Sequence, residues 1–322
     1  MAEFEYIEFQ KTRDFSNKMN ATIEFVKQNI KSLGRSTLYF IGPPALVVSL
    51  LMGALIGNTQ AFVREITEGE FSGANLTNLI LKIVLIVIGV TITSVITTAT
   101  VNGYIIIYRK KQTNQIEPEE VWAYIKETFF MYFGVMLGVA VVFVLGFVVL
   151  MLPVVLLVEI SGVLGAFAVI AFVIFALYLA FANALVIIVR GFENVSFFTC
   201  FKRSMFLTRG KWWSTFGLMM VFGLIVSILG GLIAIPATMS NTIGELHRIT
   251  TDGEVDTSTD WFGIISNSLS YLFQYLLGIL PQVALIFQYF NLVEMKESRG
   301  LIEKMEAMGD SSAQQETPKE DY

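Results

Sequence analysis

The sequence predicts an all-α integral membrane fold: six transmembrane helices in three hairpins, each hairpin preceded by a cytoplasmic-side amphipathic helix. Three observations carry this. Apolar residues fill 54% of the 322 positions and charged residues only 15%, against about 25% charged in soluble domains. Six apolar runs are long enough to cross a bilayer core. The segments joining them alternate between rich and poor in Lys and Arg.

The first 35 residues are polar and mixed in charge, with no apolar signal-peptide core, so the first span is expected to act as the insertion signal. Within them Phe15, Met19, Ile23, Val26, Ile30 and Leu33 recur at steps of three and four, the mark of an amphipathic helix. The first span is expected at about 38–57, with Pro43 and Pro44 inside it, and the second at about 79–107. Pro118 opens a helix with Glu119 and Glu120 in its first turn. Val121, Ile125 and Phe129 share one face of it and lead into a third span at about 129–152. Pro153, Glu159, Ser161 and Gly162 mark a tight turn, and a fourth span follows at about 163–189. Phe198, Phe201 and Met205 line a short helix that Gly210 closes. The fifth span is expected at about 213–235 and the sixth at about 264–290, where Pro281 is expected to free the carbonyl of Leu277. Unpaired backbone groups are too costly in hydrocarbon for these spans to be anything but helices. Residues 1–35 thus read as a cytoplasmic segment, 36–292 as the membrane domain and 293–322 as a cytoplasmic tail with a disordered end.

Charge orients the chain. Nineteen Lys and Arg residues fall on one side of the six-span arrangement and two, Arg64 and Arg248, on the other; with Lys82 inside the second span these make up the 22 of the sequence. Basic residues of short loops stay in the cytoplasm, so both termini are expected there.

A net charge of −5 gives no reason to expect nucleic acid. One cysteine, Cys200, excludes an intrachain disulfide, and a lone histidine, His247, lacks the companions of a metal site. No nucleophile elbow, phosphate loop or zinc-protease motif occurs. No cofactor, metal or enzymatic activity is therefore expected. Gly53 and Gly57, Gly134 and Gly138, and Gly223, Ser227 and Gly231 have the spacing that lets helices approach closely; packing within the chain is expected ahead of a homo-oligomer.

Two sets of residues are candidates for function. Thr91, Ser94, Thr98 and Asn102 form a polar stripe on the second span, and Asn267, Ser270 and Gln274 another on the sixth. Such stripes line a polar groove or bond inside the bundle. Lys202, Arg203, Arg209 and Lys211 gather within ten residues beside Phe197, Phe198 and Phe201, ahead of Trp212 and Trp213. Cations and indoles at this spacing suit an anionic phospholipid surface, with the fork of Arg203 and the hydroxyl of Ser204 as headgroup contacts. The alternatives are that these charges only enforce topology, or that Arg203 pairs with Glu193.

The stretch from Tyr178 to Gly217 carries an apolar span, a charged turn, Arg203-Ser204, Leu207-Thr208 with Gly210, and a Trp at the next span. Asp14-Phe15, Phe25, Asn29, Leu33, Pro43 and Pro44 form a companion pattern earlier. This resembles the membrane-domain family found attached to some glycerophosphoryl diester phosphodiesterases and in stand-alone membrane proteins; Met205 stands where an aromatic residue is common. The resemblance implies a bacterial cytoplasmic-membrane protein engaging lipid. It implies no diesterase activity, because that resides in a separate barrel domain for which these soluble segments are too short. The expected function is structural or accessory, with an inner-leaflet lipid interaction; the alternative is a small transporter or permease using the two stripes.

Overall fold

The computed structural model describes residues 4–53, 55, 73–250, 261–298, 302 and 305, with backbone alone at 73–75, 240, 241, 243–250 and 261–263. Gly57, Arg64, the acidic loop residues near them, the side chains of His247 and Arg248, and the tail residues Lys304 and Lys319 lie outside the described residues. Helix makes up 89% of the fold and no strand occurs among the described residues. Among the described residues six helical stretches are long and apolar enough to cross a membrane.

Helix α1 (Phe15–Ser36) begins under an Asp14 cap, whose carboxylate accepts the Asn17 N–H at 2.7 Å. It runs through a π-helical turn, Thr37–Ile41, into α2 (42–53). Pro43 and Pro44 have no N–H to offer the carbonyls one turn back. The helix therefore widens by a residue and the Gly42 N–H reaches Thr37 O instead. At the far end of α2, Gly53 meets the helix that carries Ile264 and Ser268: a Cβ there would stand 2.5 Å from Ser268 Oγ and 2.8 Å from Ile264 O. That close approach needs glycine.

Helix α3 (Gly73–Lys111) ends in Arg109, Lys110 and Lys111, which suit the negative end of its dipole. Gln112 turns left-handed and donates to Tyr108 O at 2.8 Å. Helix α4 (Pro118–Ile160) takes up the expected amphipathic stretch and span as one piece and does not stop at residue 152. Pro153 removes one backbone bond, but ending a helix in hydrocarbon would expose several. The break comes at Ser161, which is extended, and α5 (Gly162–Ala182) starts at once. Gly165 makes so tight a turn possible, since a Cβ there would stand 2.8 Å from Val158 Cα.

The expected fourth span is two helices. Asn183 ends α5, its amide donating to Leu179 O at 2.8 Å, and α6 (Val186–Glu193) follows. Asn194 is left-handed and ends α6. Helix α7 (Phe197–Thr208) then runs to Arg209, and Gly210 takes the left-handed geometry expected of it. Helix α8 (Trp212–Thr250) carries Pro236 inside it and outlasts its expected span. The sixth span is α9 (Trp261–Leu277) and α10 (Ile279–Glu297), split at Gly278. Pro281 therefore sits in the first turn of α10, where no intrahelical N–H bond is required. The Leu277 carbonyl expected to be freed by Pro281 thus lies at a break between two helices and not within one continuous helix.

The chain forms two compact units, one drawn from Met1–Phe25, Met151–Leu218 and Ala284–Tyr322, the other from Val26–Leu150 and Met219–Val283. In the first, Phe9 from the segment before α1 is buried among Phe25, Phe287 and Phe290. In the second, Tyr104, Tyr108 and Tyr132 are fully buried. There the Tyr104 hydroxyl lies 2.8 Å from Asn29 Oδ1 and 2.6 Å from Ser32 Oγ, and Ser32 Oγ lies 2.7 Å from Asn114 O, so the two hydroxyl hydrogens serve two of these three contacts. Of the expected small-residue contacts, Gly53 packs closely, while Gly134, Gly223 and Gly231 face open space.

Candidate functional site

The cationic stretch expected to meet lipid spans α7 and the start of α8. Helix α7 has two faces. Cys200, Ser204, Leu207 and Thr208 are buried, while Phe198 is 74% exposed and Met205 and Phe206 are also exposed. Trp213, opening α8, is 76% exposed. Lys202, Arg209 and Lys211 are exposed on the same stretch. Exposed aromatic rings beside exposed cations suit a bilayer boundary, where the rings enter the acyl border and the cations meet phosphates.

Two of the expected headgroup contacts face inward instead. The guanidinium of Arg203 is held by two carboxylates. Its Nε and Nη2 donate to Glu193 at 2.8–3.0 Å, Nη2 donates to Glu297 Oε2 at 2.8 Å, and Nη1 donates to Glu297 Oε1. The hydroxyl of Tyr289 donates to Glu193 Oε1 at 2.9 Å. The bonds to Glu297, ahead of those to Glu193, raise the pKa of Arg203 against the opposing effect of burial. The planar fork thus spends its donors on α6 and α10. Ser204 is fully buried and donates to Ala182 O at 2.8 Å, closing α7 onto the end of α5. The expectation that Arg203 and Ser204 present to a headgroup is corrected accordingly, and the internal pairing of Arg203 with Glu193 is observed.

Lys296 of α10 completes the clamp by donating to Phe206 O and, at 3.1 Å, to Arg209 O. The first is a last-turn carbonyl of α7 and the second belongs to the residue that follows the helix, both at the end where helical N–H partners run out. Trp212 is fixed too: its indole donates to Tyr178 O at 3.1 Å and its ring stacks on Phe216. Burial pushes the Cys200 thiol pKa up, consistent with an inert, structural cysteine.

The polar stripes turn to separate neighbours. Thr91 donates to Val87 O at 2.8 Å and Ser270 to Ser266 O at 2.8 Å, each within its own helix. Asn102 is buried and donates to Tyr132 of α4 at 2.9 Å, and its Oδ1 has no partner. Gln274 lies over Gly230 of α8, where a Cβ would stand 3.1 Å from its Cγ. Thr98 is buried, and Ser94 and Asn267 are half-buried.

A buried polar group that the sequence does not single out gathers around Lys18. Its ammonium donates to Ser214 Oγ at 2.7 Å and to Gln288 Oε1 at 2.6 Å, and Gln288 Nε2 donates to Thr215 Oγ1 at 3.0 Å. Lys18 shares a helix face with Thr22, Phe25 and Asn29, all buried, and no local residue marks that face as the covered one. A polar surface groove of about 480 Å³ lies nearby, between the segment before α1 and the helix, lined by Glu5, Glu8, Lys11, Arg13 and Asn20 among others. Among the described residues no three His, Cys, Asp or Glu side chains come together to hold a metal. Compared with family models, curated proteins and solved structures, the chain finds no match.

Proposed function

We propose that this chain is a bacterial cytoplasmic-membrane protein without catalysis of its own, with both termini in the cytoplasm. Its α7–α8 junction engages anionic phospholipid of the inner leaflet. The observation that carries the reading is the division of labour on α7. Arg203 and Ser204 lock one face to α5, α6 and α10, and the opposite face offers Phe198, Phe206, Lys202 and Arg209, with Lys211 and Trp213 beyond. A helix so fixed holds its rings and cations toward the bilayer without further ordering cost. Each basic group near an anionic leaflet gains about 1 kcal/mol and weakens with salt. The resemblance to the diesterase-associated membrane domains supports a lipid-engaging role of the same kind. A permease reading draws less support, because Thr91 and Ser270 spend their hydroxyl hydrogens inside their own helices.

The test is Lys202→Gln with Arg209→Gln. The double variant is expected to co-purify less phosphatidylglycerol than the parent, with the difference shrinking at high salt. Equal retention of anionic lipid at low salt sinks the reading.

A further inference from the structure

Lys18, in the first turn of α1, is 2% exposed, and both its hydrogen-bond acceptors, Ser214 and Gln288, are neutral. Thr215 holds the Gln288 amide with its oxygen toward the ammonium. Among the described residues no carboxylate forms an ion pair with Lys18. A buried ammonium without a counter-ion is unfavourable, and neutral acceptors offset only part of that cost. The neighbourhood deepens the imbalance. Lys211 repels Lys18 more strongly than Asp14, which caps the Asn17 N–H, attracts it. The ring of Phe15 covers the ammonium, 5.9 Å from its centroid, and leans on Gly217. Phe15 is 38% exposed, Ser214 beside Lys18 is half-buried and Lys211 is exposed.

We propose that Lys18, Lys211 and Ser214 form a masked site for a phosphate-ester anion, covered by Phe15 and opened when that ring turns. A phosphate supplies the missing counter-charge. Its oxygens accept the third ammonium hydrogen of Lys18, the hydroxyl hydrogen that Ser214 keeps while accepting from Lys18, and a hydrogen from Lys211. The inference rests on the lipid reading above and narrows it to one headgroup position, separate from Lys202 and Arg209.

The test measures thermal melting of the full chain in detergent as phosphatidylglycerol, phosphatidylcholine, glycerol phosphate or inorganic phosphate is added. Phosphatidylglycerol is expected to stabilise the parent. Lys18→Met should weaken its apparent affinity about tenfold, the loss of one charge-assisted bond, without lowering the melting temperature in the absence of lipid. Phe15→Ala should raise the affinity. Stabilisation by phosphatidylglycerol alone supports a lipid phosphate; equal stabilisation by the soluble phosphates supports a soluble ester at the same groups. If Lys18→Met melts lower yet keeps the full lipid response, Lys18 is a structural strut and the proposal is overturned. If Lys202→Gln with Arg209→Gln loses the response while Lys18→Met keeps it, the lipid reading survives and this site does not. If both variants respond like the parent, both fail. Unchanged affinity in Phe15→Ala overturns the cover.

Discussion

Phe9 lies flat on Phe287, ring centroids 4.4 Å apart and planes 8° from parallel. Phe25 and Phe290 meet Phe9 edge-on at 5.5 Å each, and the backbone N–H of Arg13 donates to Asn291 Oδ1 at 2.6 Å. A segment without regular structure is thereby tied to α1 and α10 through Phe9 and Arg13, whose guanidinium also lies over the Phe287 ring, 5.4 Å from its centroid. Phe9→Ala removes a buried ring whose surroundings are already packed, so the cavity cannot fully collapse. A loss of about 3 kcal/mol is expected, read as a lower melting temperature in detergent together with faster proteolysis ahead of α1. An unchanged digestion pattern would show that the segment is held by something other than Phe9.

Arg203 bridges Glu193 and Glu297 with side chains 15%, 8% and 22% exposed respectively. Breaking a largely buried pair leaves a charge without its partner, at a cost of about 3 kcal/mol. Both Arg203→Gln and Arg203→Lys are expected to lower stability, because an ammonium cannot satisfy two carboxylates through a planar fork. Glu297→Gln should have a milder effect, since Glu193 still pairs. Full stability of Arg203→Lys, measured by melting, would show that charge alone suffices.

Glycine positions separate close contacts from open ones. At Gly53 a methyl group would press on the Ile264 carbonyl, a backbone atom, so α2 and α9 must shift apart. Gly53→Ala is expected to cost about 2 kcal/mol. Gly134→Ala meets nothing within 4 Å and should be neutral or slightly stabilising. Equal melting of the two variants would remove the basis for the α2–α9 contact.

The spans were legible because length and apolar content alone identify them, and neither depends on tertiary partners. Helix ends were less so. Pro153 read as a stop, yet α4 continues to Ile160, since one missing bond is cheaper in hydrocarbon than an exposed helix end. Gly278 and Asn183 gave weak signals and still divide expected spans. The cations of α7 were readable as a cluster, and Glu193, ten residues from Arg203, as a partner. Glu297 was not, because a pairing 94 residues apart leaves no local trace. Phe9 and Lys18 escaped for the same reason: their burial is decided by α10, far along the chain.

Orientation rests on charge and not on the fold. Nineteen basic residues against two is a strong bias, and it is carried by short segments, where the rule that retains Lys and Arg in the cytoplasm holds best. Single cysteines at Thr59, Thr113 and Thr257 in a Cys200→Ala background probe it; Thr59 and Thr257 lie outside the described residues, and Thr113 follows the basic end of α3. Cys200 is fully buried with its thiol near Val195 O, so its replacement by alanine should disturb little. In intact cells an impermeant thiol reagent is expected to label Thr59→Cys and Thr257→Cys and to spare Thr113→Cys until the cells are opened. The breaks at Ser161, Asn183 and Gly278 make the experiment informative about span count as well. If the α4–α5 turn did not cross back, Thr59→Cys would still label but Thr257→Cys would not. Labelling of Thr113→Cys alone in intact cells would invert the protein and move α7, with its cations, to the outer face.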